Sequence, residues 1–283
     1  MAATLMRGKP LADRIRARVA EEVAEIGHIG LVTVLVGDDP ASETYIRLKH
    51  KAATEAGFDT TDLRLSAETP EDDLLARVGE LNASPDVDAI LVQLPLPSHI
   101  DEERIIRAVT PAKDVDGFHP LNAGELYLGR PALVPATPRG IMALLAEHDV
   151  GLEGARAVMV GRSDIVGKPM AHLLLQANAT VTVCHSRTRN LAEHTLAADV
   201  LVVAAGVAGL VTADMVREGG VVVDVGMNRG DDGVVGDIDR GALERTSLMT
   251  PVPGGVGPMT IACLLENAVQ CAKYRKGVLD YPG

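Results

Sequence analysis

Six short runs of apolar, mostly β-branched residues punctuate the chain: GLVTVLVG (30–37), VDAILVQL (87–94), ARAVMVG (155–161), TVTVCH (180–185), DVLVVAAG (199–206) and GVVVDVG (220–226). Between most of them lie stretches with apolar residues at helical spacing, such as PLADRIRARVAEEVAEI, EDDLLARVGELN and KPMAHLLLQAN. This alternation constrains the fold more than any other feature. Strands joined by helical crossovers pair in parallel, and a parallel sheet needs helices on both faces. The runs are continuously apolar rather than alternating, as strands covered on both sides should be. The 283 residues give room for two such units, each with its own core. The regular pattern breaks between Pro95 and Pro138, where prolines recur around the polar loop TPAKDVDGFHPLNAGELYLGRPALVPATP. We place one α/β domain over 1–137 and a second over 138–259, with a connecting helix at about 138–149. The last helix, within 260–283, follows a Gly/Pro turn and is expected to pack back on the first domain. The expected fold class is therefore α/β: two α/β domains with a cleft between them, the usual place for a ligand.

Composition excludes several function classes. Aromatic residues make up 2% of a chain that is 47% hydrophobic, so the core must be aliphatic. The net charge is −12 and no block of basic residues occurs, so neither a nucleic-acid nor an anionic-membrane partner is expected. The first residues mix charge into every turn and do not read as a secretory signal. The longest uncharged apolar run, VLVVAAGVAGLV (200–211), is twelve residues and too short for a bilayer. Cys184, Cys263 and Cys271 show no C-x-x-C spacing and leave an odd thiol. They read as reduced, buried bystanders in a cytoplasmic protein, and no metal site is expected.

In the second half, the strand ARAVMV runs into GRSDIVGKPMAHLLL. A glycine-rich turn that leaves a parallel strand and opens a helix presents N–H groups and the helix dipole to a phosphate. Pro169 suits the first helical turn. A P-loop is excluded: Gly161 and Gly167 enclose five residues instead of four, and Pro169 stands where a hydroxyl is needed. The usual G-x-G-x-x-G is missing too, so this turn alone is as consistent with a plain turn as with a Rossmann-type one. The next strand is more informative. Where an NAD enzyme places a carboxylate on the ribose 2′-hydroxyl, this chain has Ser186, Arg187 and Arg189, with no carboxylate before Glu193. A hydroxyl beside guanidinium groups suits a 2′-phosphate, which favours a Rossmann-type NADP-binding domain; two solvated loop arginines are the bland alternative. Later strands end at Gly206 and Gly226, where backbone can approach a flat ring or simply turn.

In the first half, Tyr45 and Lys49 share one face of a helix that Pro40 can open, with Ser42 nearby as a possible cap. Lys51 lies on another face. Short-chain dehydrogenases also use Tyr-x-x-x-Lys, but after the cofactor turn; here the pair precedes it by more than a hundred residues. The strand ILVQL ends near Gln93, and KDVDGFHP puts Asp114 and Asp116 in a turn before Gly117. A Tyr, a Lys, a Gln and an Asp arriving at successive strand ends look like a polar pocket. Each also has a bland reading, as a snorkelling lysine, a strand-end amide or an Asx-turn former.

Five segments together, VGDDPASETYIRLKHKA, VQLPLP, KDVDGFHPLN, GRSDIVGKP and PVPGGVGPMT, resemble the bifunctional methylenetetrahydrofolate dehydrogenase/methenyltetrahydrofolate cyclohydrolases over about residues 5 to 275. The resemblance implies a one-carbon enzyme acting on tetrahydrofolate substrates. It would oxidise 5,10-methylenetetrahydrofolate with NADP and hydrolyse the methenyl product to 10-formyltetrahydrofolate. It implies Lys49 as the key group of the hydrolysis, Tyr45 beside the pterin, Gln93 tuning Lys49 and Asp116 on the pterin's amino edge, with Leu94 and Pro95 in the substrate site. It maps Gly161, Arg162, Ser163, Gly167 and Pro169 to the cofactor turn, and Ser186, with Arg187, to the 2′-phosphate. Gly254, Gly255, Gly257, Pro258 and Thr260 would form a turn over both ligands, and Ile238 would lie at the nicotinamide end. A homodimer through the cofactor domains and a role in purine biosynthesis are further implications. Two departures stand out. Ala136 replaces a cysteine frequent in the family, and Asp164 replaces Asn or Lys, adding negative charge near a pyrophosphate. Asp164 is expected either to point outward or to weaken NADP binding. A shikimate-type dehydrogenase would explain the cofactor half but not VQLPLP or KDVDG, and a folate-binding protein without catalysis is the remaining alternative.

Overall fold

The computed structural model of the chain describes residues 3–37, 40–230 and 233–282, without the side chains of residues 40–45. Two compact units emerge, one of residues 1–12 with 137–260 and the other of residues 13–136 with 261–283.

The second of these is built on three parallel strands, with β2 (Gly30–Val36) between β3 (Asp59–Leu65) and β4 (Ala89–Val92). Both β2 and β4 are buried along their whole length, as their continuous apolar sequences require. β3, DTTDLRL, is an edge strand with much of its length exposed, and its polar sequence has no apolar run to announce it. The helices of this unit are most of α1 (Gly8–Ile26), α2 (Pro40–Glu55), α3 (Glu71–Ala83), α4 (Glu102–Ala108) and α5 (Pro120–Tyr127). Val32, Val34, Leu74, Val78, Ile90 and Ile105 pack into its aliphatic core. Asp101 caps α4 by accepting the N–H groups of Glu103 and Arg104 at 3.0 and 3.3 Å. The buried Lys113 closes the other end of α3, donating to the carbonyls of Leu81, Asn82 and Ser84 at 2.8–3.1 Å.

The other unit carries six strands: β1 (Thr4–Leu5), β5 (Arg156–Val160), β6 (Thr180–Cys184), β7 (Val200–Val203), β8 (Val221–Asp224) and β11 (Leu248–Met249). Their order is β1-β11-β8-β7-β5-β6, every pairing parallel. β9 (Asn228–Gly230) and β10 (Gly233–Val235) form a separate antiparallel pair. The helices are α6 (Ala136–Glu147), α7 (Gly167–Gln176) and α8 (Leu191–Leu196), and α9 (Val256–Arg275) contributes its first residues here and the rest to the three-stranded unit. Alternate residues of β5 enter opposite cores: Ala157 and Met159 pack with Ile141, Leu145 and Met170, while Val158 and Val160 pack with Leu201, Val222 and Ile238. β5 has β6 on one side and β7 on the other, so the strand order reverses there.

The first residues depart from the sequence expectation, which grouped them with residues up to 137. β1 pairs with β11, so residues 1–12 complete the six-stranded sheet. β6, although apolar in sequence, is an edge strand with Val183 exposed. All three cysteines are buried, and none forms a disulfide. No helix among the described residues is long and apolar enough to cross a membrane.

Candidate active site

Lys49 and Gln93 meet in the three-stranded unit. Lys49 is on α2, 8% exposed, and its Nζ donates to Gln93 Oε1 at 3.3 Å. Gln93 follows β4, and its Nε2 donates to its neighbour's carbonyl, Leu94 O, at 2.6 Å. A carbonyl only accepts, so the amide nitrogen must face Leu94 and the amide oxygen is left for the ammonium. Tyr45, one turn before Lys49, lies outside the residues whose side chains are described, as does Ser42. Lys51 is exposed and pairs with Glu55 at 3.7 Å, an ordinary i,i+4 surface pair.

Asp116 is electrostatically coupled to Lys49. Its carboxyl is pushed up to about 6, first by burial; the Lys49 charge opposes the shift and the Asp114 charge adds to it. The Lys49 ammonium is pushed down, again by burial, with Asp116 opposing. Each group loses water, and each moderates the other's shift. The loop that carries Asp116 is folded round Asp114, whose Oδ2 accepts His119 N–H at 2.7 Å and the Asn122 amide at 2.9 Å. Asn122 is oriented in turn by the Tyr281 hydroxyl at 2.9 Å. From α9, the buried Asn267 amide donates to Val115 O and Val134 O at 2.9 and 2.8 Å, tying the residue before Asp116 to the segment that follows α5. Neither Tyr281 nor Asn267 carries a local motif; their role shows only once the chain is folded.

In the six-stranded unit the turn after β5 lies at the carboxyl end of the strands, where the strand order reverses. Gly161 has φ +126°, and a Cβ there would lie 2.2 Å from Ala204 O. A Cβ on Gly167 would lie 2.5 Å from Gly161 O. Both glycines are therefore steric necessities: the turn is pressed against the end of β7 and the start of α7. Ser163 Oγ accepts the N–H groups of Val166 and Gly167 at 3.2 and 3.3 Å, shaping the turn. Pro169 is buried in the first turn of α7, while Arg162 and Ser163 are exposed. Ser186 and Arg187 are exposed after β6, the neighbouring strand, in a turn held by His185 N–H to Thr188 Oγ1 at 2.8 Å. A backbone cradle too tight for a Cβ, a helix start beside it and an exposed hydroxyl–guanidinium pair one strand away fit a dinucleotide.

The remaining candidates are spread along the same unit. β7 and β8 stop earlier than the sequence suggested, at Val203 and Asp224, so Gly206 and Gly226 lie in the turns that follow them. Gly254 (φ +104°) and Gly255 form the turn before α9, Pro258 lies in its first turn, and Thr260 Oγ1 meets Thr137 Oγ1 at 2.9 Å. Ile238 is 4% exposed and packed with Val211 and Ala242, and it also lines a small cavity with Asp224, Met249 and Thr250. Exposed apolar side chains at this edge are Met227, 60% exposed directly after Gly226, and Val207, 51% exposed directly after Gly206. Sequence reading passed over Met227 because a single Met after a strand has no periodic signature.

Residues 6–116 match the profile described as tetrahydrofolate dehydrogenase/cyclohydrolase, catalytic domain, and residues 135–276 match its NAD(P)-binding domain. The chain belongs to this family. It therefore combines methylenetetrahydrofolate dehydrogenase and methenyltetrahydrofolate cyclohydrolase activities with a nicotinamide dinucleotide site. It is 53% identical over 279 residues to the bifunctional protein FolD of Paraburkholderia phytofirmans, covering 96% of this chain and 98% of the relative. Its fold superposes on the FolD dehydrogenase/cyclohydrolase of Campylobacter jejuni with a TM-score of 0.94 at 47% identity, covering 97% and 100% of the two chains. The Trypanosoma brucei FolD structure, complexed with NADP cofactor and inhibitor, gives a TM-score of 0.93 at 38% identity over 98% and 99%.

Both departures from the family pattern have a place in the fold. Ala136 is buried at the start of α6, where a methyl group fills the site. The Asp164 side chain is 82% exposed and pairs with Lys168 one turn on, so its charge is turned to solvent and partly neutralised.

Proposed function

We propose that the chain oxidises 5,10-methylenetetrahydrofolate with NADP⁺ as hydride acceptor, then hydrolyses the methenyl cation to 10-formyltetrahydrofolate with Lys49 as the acid/base group. The observation that carries the reading is the buried Lys49, its Nζ on Gln93 and its charge opposed by the half-buried Asp116, in a family that carries both activities. A protonated lysine facing a cationic methenyl carbon would repel it. Burial lowers the Lys49 pKa, which makes the neutral amine accessible as a base. Gln93 accepts one Nζ hydrogen and fixes the head of the lysine. In the hydrolysis, water adds to the methenyl carbon and Lys49 takes one of its protons, leaving a neutral hydroxyl adduct. The hydroxyl proton then passes to the departing nitrogen as the carbon–nitrogen bond opens, and the formyl group stays on the other nitrogen.

Asp116, as a carboxylate, accepts two N–H bonds from the aminopyrimidinone edge and orients the ring. Tyr45, Leu94 and Pro95 flank it, and Gly254, Gly255 and Pro258 contribute backbone to the ligands. Gly161, Arg162, Ser163, Gly167 and Pro169 receive the pyrophosphate, and Ser186 with Arg187 the 2′-phosphate. The nicotinamide, when bound, accepts the hydride. Gly206 and Gly226 admit the ribose and ring, with Met227 as an apolar surface beside them. Thr260 supports the turn through Thr137.

A homodimer belongs to the same reading. The β6 edge leaves Leu175, Val183 and Leu196 exposed around it, an apolar margin that pairing with a second copy would cover. So does a cytoplasmic setting, in keeping with three cysteines that form no disulfide.

The test is a direct assay with methylenetetrahydrofolate and NADP⁺, following NADPH and the methenyl chromophore. NADP⁺ is expected to support turnover better than NAD⁺. Silence with both nucleotides would remove the reading.

A further inference from the structure

Asp224 and Asp237 take no part in the chemistry above, yet both are buried in the six-stranded unit, 2% and 0% exposed. Buried carboxylates persist only where donors replace their water, and here the donors form a directed chain. Asp224 ends β8; its Oδ1 accepts the N–H groups of Gly226 and Asp237, each at 2.9 Å, and its Oδ2 accepts Ile238 N–H at 3.0 Å. Asp237, its backbone fixed in this way, turns its own carboxylate to a different strand end. Its Oδ2 accepts two successive N–H groups, Ala205 at 2.6 Å and Gly206 at 2.9 Å, and its Oδ1 accepts the Asn228 amide at 2.8 Å.

The glycines of the region are fitted to this pair. A Cβ on Gly226 would stand 2.4 Å from Asp237 N and Oδ1, and one on Gly236 would stand 1.8 Å from Asp224 Oδ2. The turn that Asp237 holds is the one beginning at Ala204. The Ala204 carbonyl is the atom that leaves Gly161 no room for a side chain, and its N–H is bonded to Val160 O at 2.8 Å. Contact therefore runs from Asp224 through Asp237 and residues 204–206 to the glycine turn after β5.

We propose that Asp237 is a positioning residue for the dinucleotide. Its carboxylate, set in place by Asp224, holds the Ala205–Gly206 turn in the shape against which the cofactor turn is built. The inference rests on the proposed function and adds to it a residue that touches neither substrate nor cofactor.

The experiment uses Asp237→Asn in the full-length chain. An amide offers one acceptor oxygen, so either the two turn N–H groups or the Asn228 amide loses its partner. The KM for NADP⁺ in the dehydrogenase reaction is expected to rise about ten- to hundred-fold. Hydrolysis of methenyltetrahydrofolate, supplied directly without any nucleotide, should keep its kcat and KM within about two-fold, because that reaction needs no dinucleotide. An unchanged NADP⁺ constant overturns the proposal, and so does a parallel fall in both activities, which would mark Asp237 as merely structural. If Asp237→Asn does not fold, Asn228→Ala decides by the same split. That variant removes one donor to Asp237, with a smaller rise in the nucleotide KM expected and the same two overturning results. Failure of the underlying functional reading would show separately, as a wild-type chain without turnover.

Discussion

Burial pushes the Asp116 carboxyl up and the Lys49 ammonium down, while the charge of each opposes the other's shift. If hydrolysis needs the neutral amine, Lys49→Arg should retain the positive charge and lose the base, since a guanidinium does not give up its proton. Cyclohydrolase turnover is expected to fall about 10²- to 10⁴-fold while the NADP⁺ constant stays unchanged, in steady-state assays of the two reactions run separately. Asp116 supplies a pH signature. Its ordinary value of 3.8 is raised to about 6, so the contribution of this group to stability is full below about 4 and is lost as the pH rises through about 6. Binding runs the other way, because only the carboxylate accepts two N–H bonds. The KM for methylenetetrahydrofolate should rise as pH falls through about 6, and Asp116→Asn should show a high KM that no longer varies across that range. Lys49, Gln93 and Asp116 could be singled out in the sequence because each stands in a distinctive segment: Lys49 one turn after Tyr45, Gln93 just past a strand and Asp116 in a polar turn. A strand-like GDID does not say which way the Ile238 side chain points, and a single Met227 after a strand has no pattern to mark it.

Among elements, the turn after β5 and the end of β7 behave as one construction. Gly161→Ala would put a methyl group 2.2 Å from Ala204 O at a φ of +126°, so the turn or the strand end must move. We expect a loss of roughly 2–4 kcal/mol in stability, seen in thermal melts, together with a weaker NADP⁺ constant. Gly206 is the control. It too has positive φ, +68°, but nothing lies within 4 Å of its missing Cβ, so Gly206→Ala should cost only about 1–2 kcal/mol of backbone strain. The buried strands were legible because burial on both faces writes a continuous apolar run. β3 was not, since an edge strand with polar exposure can be built from DTTDLRL, and its pairing with β2 is visible only in three dimensions. β1 and β11 have two residues each, too short for any periodicity, and their order in the sheet comes from long-range pairing.

For the whole molecule, the exposed rim around β6 makes a prediction about assembly. Val183→Lys places a charge on an edge strand without entering the core. Sedimentation should show the wild type as a dimer and this variant as a monomer with its melting temperature little changed. The division of the chain has a further consequence. Each unit is assembled from two separated stretches, and the residues that begin the three-stranded unit, 13–136, wait for 261–283 to finish it. A nascent chain that has reached residue 260 already contains every residue of the nucleotide unit. It still lacks Asn267, whose amide joins Val115, next to Asp116, to Val134. Termination at residue 260 would thus leave every residue of the nucleotide unit beside a three-stranded unit without that tie.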